Sequence, residues 1–412
     1  MKTKKIILFI VTGIMTLAPL STFASTSFEV SGWMPYWRGA TSTNDVLPHL
    51  ADLTEVNPFV YTIKSDGTLR DNGPLSTTTW SSFIASAQAQ KVRVIPTIMS
   101  SSGDLIHSLI DTKKHRDAFA KTIVQTVKDG GFDGIDIDLE SKHASDKDNF
   151  SKFLQNLYKR MGTKMVICTI EARTPIEDRY NGTDVPADAT MYANDLPTIN
   201  RYCDRVRIMA YDQQGIDLTL ANRAASSSEL YAPIADPAWI EKVVNLMSKD
   251  IAKRKIQIGV PTYGYEYAVT AYANNEYLYD ILWTFNPGYA TQIAAQYGIT
   301  PTRNSAGEMH FSYIPNTSST STPLNTSPTT PQVNTPVSIT STALVASAAA
   351  SIYATQNNSH TGFRLIDWPD AQSLQQKIDL AKRLGVRGIS IFKLDGGEDQ
   401  GLWTVLHNNK NK

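Results

Sequence analysis

Cysteine is scarce in this chain, which has 412 residues but only Cys168 and Cys203. Two cysteines are too few for a scaffold built on disulfides. Because Cys168 lies inside an apolar run and Cys203 just before another, we expect two buried free thiols, with a bridge between them as the alternative. The seven His are scattered. Neither a zinc site nor a thiol nucleophile is therefore indicated, and we expect no metal and no cofactor.

Charge of one sign is not in excess, and long apolar runs are missing from most of the chain. Lys plus Arg is 39 and Asp plus Glu is 39, so no basic surplus attracts phosphate backbones, and nucleic acid is not expected as a partner. After the first 24 residues no segment approaches the roughly 20 apolar residues that a membrane helix needs. We therefore expect no membrane association once those residues are removed.

The first 24 residues have the pattern of a secretory signal. Three lysines lie within the first five residues, an apolar run follows at 6–20, and Thr22-Phe23-Ala24 resembles a cleavage site. The mature chain is expected to begin near Ser25 and to be secreted, periplasmic or associated with the cell wall. An uncleaved N-terminal anchor is the alternative. We expect a monomer.

Short apolar runs alternate with amphipathic segments, which is typical of parallel strands separated by helices. The eight predicted strands are 29–34, 55–63, 92–99, 134–140, 164–170, 205–211, 256–261 and 388–394. The predicted helices are 80–90, 115–128, 146–161, 237–253 and 373–384. Eight strands in this arrangement predict an α/β fold of the closed (β/α)8 TIM barrel type.

Residues 266–363 interrupt this pattern between the seventh and eighth strands. Their aromatic-rich first part predicts a small α+β insertion on the catalytic side of the barrel. In the second part, 316–342, 15 of 27 residues are Ser or Thr, a composition that cannot bury a core, so we expect an extended, mobile excursion there. The predicted divisions are thus a signal peptide (1–24), barrel strands one to seven (25–265), the insertion (266–363) and the barrel's completion (364–412).

The segment 131–140 carries the strongest chemical signal. Side chains alternate along a strand, so Asp136, Asp138 and Glu140 share one face and Ile135, Ile137 and Leu139 the other. If the apolar face packs on helices, the three acids line the barrel interior, with Glu140 at the C-terminal mouth where barrel active sites lie. An exposed edge strand with a solvated acidic face, or a calcium site, is the alternative.

Asp133, Asp136, Asp138 and Glu140 in this spacing resemble the signature of glycoside hydrolase family 18, the chitinase-like enzymes. Supporting segments follow in the family's order: 32–37, 209–212 and 259–265. Segments 364–367, 373–380 and 388–403 are most similar to the bacterial branch of spore-cortex and cell-wall hydrolases. The resemblance covers essentially the whole mature chain.

The resemblance implies cleavage of β-1,4 bonds next to N-acetylglucosamine, in chitin or in the glycan of peptidoglycan. In this family the substrate's own acetamido oxygen is the nucleophile. Glu140 is then the acid and base, Asp138 orients the acetamido group, Asp136 shares a proton with Asp138, and Tyr211 hydrogen-bonds the acetamido oxygen. Asp133 is expected to fix the entry to the strand. The polysaccharide is the only partner expected.

The remaining predicted contacts are with sugar rings and hydroxyls. Met209 and Asp212 flank Tyr211, while Phe392 stands on the last strand where the family usually has a Trp floor; Trp403 is the poorer alternative for that role. The aromatics that could form sugar platforms, or could simply be packing, are Trp33, Tyr36, Trp37, Tyr61 and Tyr265. A chitinase-like lectin that binds amino sugars without cutting them is the alternative function, and an unrelated barrel enzyme is a third.

Overall fold

The computed structural model describes residues 28–180, 185–216, 230–315 and 343–409. The predicted signal peptide and the Ser/Thr-rich segment 316–342 lie outside the described residues. Over the described ranges, no helix is both long enough and apolar enough to span a bilayer.

Eight parallel strands close into a barrel, so the predicted fold is confirmed. Strand β1 pairs with both β2 and β15, which closes the sheet. In chain order the strands of this sheet are β1 (Glu29–Pro35), β2 (Glu55–Ile63), β3 (Leu69–Asp71), β4 (Arg93–Val94), β5 (Thr97–Ser100), β6 (Gly134–Leu139), β7 (Met165–Glu171), β8 (Arg205–Met209), β9 (Ile256–Pro261) and, after the strands of an insertion, β15 (Gly388–Phe392). Short β3 and β4 lie beside β2.

The third barrel strand is broken, whereas the sequence predicted one strand over 92–99. The break falls at Pro96, between β4 and β5. Proline has no N–H and cannot donate to a strand ladder. Its carbonyl oxygen still accepts from Asp136 N at 3.0 Å, and Ile95 N donates to Val56 O at 3.1 Å. The chain therefore keeps its place between its two neighbours despite the break.

Most of the described helices surround the barrel, and two, at 287–297 and 345–357, belong to the insertion. The helices are α1 (Gly39–Val46), α2 (Thr78–Ala89), α3 (Gly103–Ile110), α4 (Lys113–Asp129), α5 (Lys147–Met161), α6 (Ile176–Arg179), α7 (Leu196–Tyr202), α8 (Gln213–Ile216), α9 (Pro237–Met247), α10 (Pro287–Tyr297), α11 (Val345–Asn357), α12 (Ala371–Leu384) and α13 (Gly401–Asn409). Helix α9 ends six residues before its predicted end, because Lys249 N and Asp250 N donate to Leu246 O and Met247 O in a tighter turn.

Helix α5 illustrates why these segments are helical and how they pack. Phe150, Phe153, Leu154 and Leu157 recur three or four residues apart and are all buried, which gives one apolar stripe against the barrel. The stripe meets the outward side chains of β6, where Ile135, Ile137 and Leu139 belong to the same core cluster. The inward face of β6 is thereby left for its acids.

An antiparallel sheet is inserted between barrel strands β9 and β15, which agrees with the predicted α+β insertion. Its order is β11, β10, β14, β13, β12. The strands are β10 (Gly264–Tyr272), β11 (Glu276–Phe285), β12 (Thr302–Arg303), β13 (Met309–Tyr313) and β14 (His360–Trp368). Phe285, Phe311, Ile366 and Trp368 form a small core of their own. Strand β10 starts three residues after β9, so this sheet begins at the C-terminal mouth of the barrel.

The expectation of two free thiols is wrong. Cys168 on β7 and Cys203, directly after α7, form a disulfide with a Cα–Cα distance of 5.9 Å. Cys168 faces outward, because its neighbours on the strand are the ones that turn inward. Val206 on β8 pairs with Cys168, and Cys203 lies three residues before Val206. The chain between α7 and β8 therefore passes close to Cys168. The two cysteines are 35 residues apart, and only the packing of α7 brings them together.

Ion pairs occupy the N-terminal end of the barrel, opposite the mouth. Glu29 accepts from Arg205 Nε at 2.6 Å and from Arg387 Nη2 at 2.7 Å, and Arg93 lies 3.3 Å away. Burial raises the pKa of Glu29, but the hydrogen bonds from Arg205 and Arg387 outweigh it and bring the pKa to about 2. This end of the barrel is therefore a layer of paired charges.

Candidate active site

The acidic row of β6 points into the barrel. Asp136 and Asp138 are buried, and Glu140 follows the last residue of the strand at the C-terminal mouth. The row is flanked by β5, where Thr97 pairs with Asp136, and by β7, where Thr169 pairs with Asp138. The alternative of a solvated edge strand is excluded, because β6 has a hydrogen-bonded neighbour on each side.

Asp136, the deepest acid, is held by four donors. Its Oδ2 accepts from Trp33 Nε1, Thr97 Oγ1 and Arg207 Nη1, each at 2.9 Å, and its Oδ1 accepts from Thr169 Oγ1 at 2.8 Å. Every one of these groups is buried. Four donors, one of them a guanidinium, stabilise the charged carboxylate in a medium that would otherwise disfavour it.

Arg207 in turn joins Asp136 to the second strand. Its Nη2 donates to Glu55 Oε1 and to Asn57 Oδ1, the latter at 3.0 Å, and its Nε donates to Gln257 Oε1 at 3.0 Å. The side chains of Arg207, Glu55 and Asp136 are all 0% exposed. One arginine thus serves two buried carboxylates at the centre of the barrel.

Asp138 is in the opposite situation. Its Oδ1 is buried and has no hydrogen-bond partner among the described residues. Burial raises its pKa well above the ordinary value, and the charges of Glu140, Asp136 and Glu171 add to the effect. No hydrogen bond among the described residues joins Asp138 to Asp136, and the predicted proton sharing between the two acids stays a prediction.

Glu140 also keeps its proton to higher pH than an ordinary glutamate. Burial is the first cause of its raised pKa, and the charge of Glu171 is the second. Asp212 raises the pKa further, while Lys142 lowers it. A protonated carboxyl at the mouth of the barrel can donate its proton to a bound substrate.

Strand β8 brings Tyr211 and Asp212 to the same mouth. The Tyr211 ring is stacked on Phe392 with centroids 5.7 Å apart. Burial, followed by the charge of Asp138, raises the Tyr211 pKa well above its ordinary value, so its hydroxyl remains a donor. Asp212 has a left-handed backbone (φ 56°) and accepts at Oδ1 from the hydroxyls of Tyr263 and Tyr265, the latter at 2.6 Å.

Two cavities meet at Glu140. The aromatic cavity has a volume of about 280 Å³ and is lined by Trp33, Tyr36, Trp37, Phe59, Val60, Tyr61, Thr62, Met99, Asp138, Glu140, Met209, Tyr211, Asp212 and Phe392. The polar cavity has about 460 Å³ and is lined by Glu140, Ser141, Lys142, Glu171, Ala172, Arg173, Arg179, Met191, Tyr192, Ala193, Asn194, Met209, Tyr211, Asp212 and Gly215. Asp138 lines only the aromatic cavity.

Most of the residues singled out in the sequence line the aromatic cavity. Phe392 is at its centre, with ring contacts to Trp33, Phe59 and Tyr211. Trp37 is 51% exposed at the rim and Tyr36 stands against it, with ring centroids 5.0 Å apart. These exposed rings offer faces on which a sugar can stack.

Four of the residues singled out in the sequence lie elsewhere or contribute differently. Trp403 is buried in α13 and stacked on His49 with centroids 4.3 Å apart, so it is not part of the site. Tyr265 is buried and lines neither cavity; it contributes its hydroxyl to Asp212. Trp33 is buried, and its indole N–H is taken by Asp136. Asp133 Oδ2 accepts a hydrogen bond from Val94 N at 2.9 Å, which ties the start of β6 to β4.

The sequence analysis missed the polar groups that support and flank the acids. Arg207 and Glu55 lie at inward positions of their strands, Arg207 two residues before Met209 and Glu55 six residues before Tyr61, so alternation alone could have found them. Glu171, at the end of β7, accepts from Asn194 Nδ2 at 2.7 Å and Ser141 N at 3.2 Å. Its signal was weaker, because a single acid at a strand end has many explanations.

No cluster of three or more His, Cys, Asp or Glu suited to a metal occurs within the described ranges. At the mouth, burial raises the pKa of Asp138 and of Glu140 and lowers that of Lys142. The chemistry that these groups offer is proton transfer.

A comparison with known protein families identifies one family for this chain. The profile of the glycosyl hydrolases family 18 matches residues 32–397. The uncharacterized glycosylase YvbX of Bacillus subtilis (strain 168) is 25% identical over 167 residues, which are 40% of this chain and 44% of that protein. The chain thus matches less than half the length of this relative.

Solved structures share the fold over nearly the whole chain. The spore cortex-lytic enzyme SleL of Bacillus cereus has a TM-score of 0.65 at 18% identity, covering 93% of this chain and 74% of that chain. A mutant of the class V chitinase from Nicotiana tobaccum, solved in complex with NAG4, has a TM-score of 0.61 at 13% identity, covering 94% and 99%. At such identities the likeness shows the fold alone.

Proposed function

The chain belongs to the glycosyl hydrolases family 18, and from this premise we propose that it is an exported glycosidase of N-acetylglucosamine-containing glycans. The substrate is chitin or the glycan of peptidoglycan, and the bonds cleaved are β-1,4 linkages. Export is proposed from the signal pattern at residues 1–24; N-terminal sequencing of protein recovered outside the cell, expected to start near Ser25, tests it.

The observation that carries this proposal is the pair of raised carboxyl pKa values at the junction of the two cavities. Asp138 and Glu140 both face the aromatic cavity, and both hold their protons beyond the ordinary range. The unsatisfied oxygen belongs to Asp138 and is free to bind a group of the substrate. The raised pKa of Glu140 suits an acid catalyst, which a protein that only bound sugars would not need.

We infer a substrate-assisted reaction. The donor N-acetylglucosamine lies in the aromatic cavity over Phe392, with its acetamido group against Asp138 and Tyr211. The acetamido oxygen forms a bond to the anomeric carbon while the glycosidic bond breaks and Glu140 transfers its proton to the leaving oxygen. The positive charge that develops on the acetamido nitrogen is stabilised by Asp138.

The second half of the reaction restores the enzyme. Water attacks the anomeric carbon of the oxazolinium ion from the side that the leaving sugar has vacated. Glu140, now a carboxylate, takes the proton from that water, and the acetamido group is released from the ring. Two inversions at one carbon give retained configuration, which NMR of the first-formed product can check.

Substitution of the acid tests the proposal. Glu140→Gln should bind N-acetylglucosamine oligomers as the natural chain does while turnover falls by about 10²-fold to 10⁴-fold. Glu241→Gln is the matched control, because Glu241 is partly exposed and paired with Arg383 on the outer surface. Turnover should be measured on chitin oligomers and on purified peptidoglycan side by side.

Two outcomes would overturn the proposal. Undiminished turnover in Glu140→Gln would remove Glu140 from the chemistry. Sugar binding by the natural chain without any turnover would indicate the lectin alternative. Cleavage of cellulose oligomers, which lack the acetamido group, would instead refute substrate assistance.

A further inference from the structure

The polar cavity contains more charge than acid catalysis needs. Besides Glu140 and Asp212, it is lined by Glu171 and by three cationic side chains, Lys142, Arg173 and Arg179. Some of these charges compensate one another. Lys142 is almost fully buried, donates to the carbonyl of Leu139, and lies 3.8 Å from Glu171 Oε1. Glu171 and Asp212 accept hydrogen bonds from protein groups, as described above.

Arg173 and Arg179 take no part in this charge compensation. Neither has a carboxylate within 4.0 Å among the described residues. Arg173 is fixed in place, since its Nη2 donates to Asn194 O at 2.6 Å and its guanidinium lies 3.7 Å from the centroid of the Tyr192 ring. Arg179 has a buried Nε with no hydrogen-bond partner. A guanidinium carries five donors and stays charged, so both side chains keep donors free for a ligand.

The polar cavity is the side of the leaving sugar. The catalytic proton must reach the oxygen between the two sugars, so Glu140 has to touch both sites, and it lines both cavities. Asp138 must touch only the donor sugar, whose acetamido group it orients, and it lines only the aromatic cavity. The sugar beyond the cleaved bond therefore lies beside Arg173 and Arg179.

We propose that Arg173 and Arg179 form a carboxylate subsite for the leaving-side sugar. This proposal rests on the proposed function and narrows its substrate to glycans whose leaving-side amino sugar carries an acidic substituent at O3, as the muramic acid of peptidoglycan does. Every hydroxyl of chitin is uncharged, so chitin gains nothing from two guanidinium groups. A carboxylate matches the planar fork of arginine and can accept two hydrogen bonds from it.

The carboxylate can have two sources. In a muramic acid residue without a peptide, the lactyl group itself ends in a carboxylate. Where a peptide is attached, the lactyl carboxyl is an amide, and the nearest acid is the end of the attached amino acids. Both present the same group to the arginines at different distances from the sugar ring.

Three synthetic glycans of equal length separate these cases. All alternate N-acetylglucosamine with muramic acid; the lactyl carboxyl is free in the first, carries one alanine with a free carboxylate in the second, and is a methylamide in the third. For the natural chain we expect kcat/KM for at least one acidic glycan to exceed that of the methylamide by about tenfold or more. The better acidic glycan identifies the source.

The double variant Arg173→Met/Arg179→Met should bring this kcat/KM ratio close to one. Arg201→Met is the control, because Arg201 is an exposed arginine that lines neither cavity, and its ratio should stay that of the natural chain. The ratio should also fall as salt is added, since a partly exposed ion pair is screened. An equal kcat/KM for acidic and methylamide glycans in the natural chain overturns the subsite.

Binding separates this inference from the proposed function. In a Glu140→Gln background, calorimetry measures the affinity for the same three glycans without any turnover. A binding preference for an acidic glycan that disappears when both arginines are replaced supports the subsite. It does so even if the natural chain cleaves none of the three glycans, and such a lack of cleavage would refute the proposed function. Equal affinities for all three, with normal cleavage, would refute the subsite and leave the proposed function standing.

Discussion

Removing Arg207 should destabilise the barrel far more than removing a surface arginine. Its guanidinium is 0% exposed and supports two buried carboxylates, Glu55 and Asp136, the second at 2.9 Å. Arg207→Met keeps a long apolar side chain but leaves Asp136 without its cation and Glu55 with Arg93 alone, whose Nε donates to Glu55 Oε2 at 3.2 Å. Breaking a buried pair in this way costs about 3–5 kcal/mol, most of it the penalty of uncompensated charge.

The control is a pair of the same chemistry in water. Arg383 is 61% exposed, and its Nη1 and Nη2 both donate to Glu241 at 2.8 Å. Exposed pairs contribute about 0–1 kcal/mol, so Arg383→Met should change stability little. Urea unfolding followed by circular dichroism measures the difference in the free energy of unfolding. At about 2 °C per kcal/mol, Arg207→Met should lower Tm by roughly 6 °C or more.

A compensating variant shows whether charge is the cause. Adding Asp136→Asn to Arg207→Met removes the orphaned charge while keeping the shape of the side chain, so much of the lost stability should return. If Arg207→Met costs no more than Arg383→Met, the central network is not a buried ionic one. If the added substitution only lowers stability further, packing rather than charge is responsible.

Two further predictions concern the site and the core. After burial, the charge of Glu171 is the largest cause of the raised pKa of Glu140, so Glu171→Gln should lower that pKa. Because the protonated acid is the active form in the proposed reaction, the alkaline limb of the pH profile of kcat should then move to lower pH. Lys142→Met should move it the opposite way, and a limb that stays put in both variants would contradict the assignment. Cys168→Ala/Cys203→Ala opens a loop of 35 residues and should lower the free energy of unfolding by about 4 kcal/mol in the chain-entropy treatment; two reactive thiols in the unfolded natural protein, without reductant, would show that the bridge does not form.

The outline of the barrel could be predicted because each strand carries its own local pattern. Along 134–139, alternation of acids with Ile and Leu requires a strand that is buried on both faces, and only a closed barrel offers an interior for the acids. Family resemblance added roles to Glu140, Asp138 and Tyr211. The exact strand ends were less accessible, since proline at 96 breaks a run that hydrophobicity alone presents as continuous.

What could not be predicted depends on contacts between distant segments. Arg207 is 71 residues from Asp136 and 152 from Glu55, and no local pattern records which of the inward polar residues meet. The bridge between Cys168 and Cys203 depends in the same way on where α7 packs. The polar cavity is built from three strand ends and their loops, so its arginines become a group only in the folded chain.

The deep ion pair and the catalytic proton belong to one electrostatic arrangement. Three acids on one strand cannot all be charged at low cost in a buried row. Arg207 and three further donors hold Asp136 in place. Burial, followed by the charges of Glu140 and Asp136, raises the pKa of Asp138. In the proposed reaction Asp138 has an oxygen free to meet the acetamido group, and Glu140 is the acid at the mouth. The arginine that supports the deepest acid of this row, Arg207, lines neither cavity.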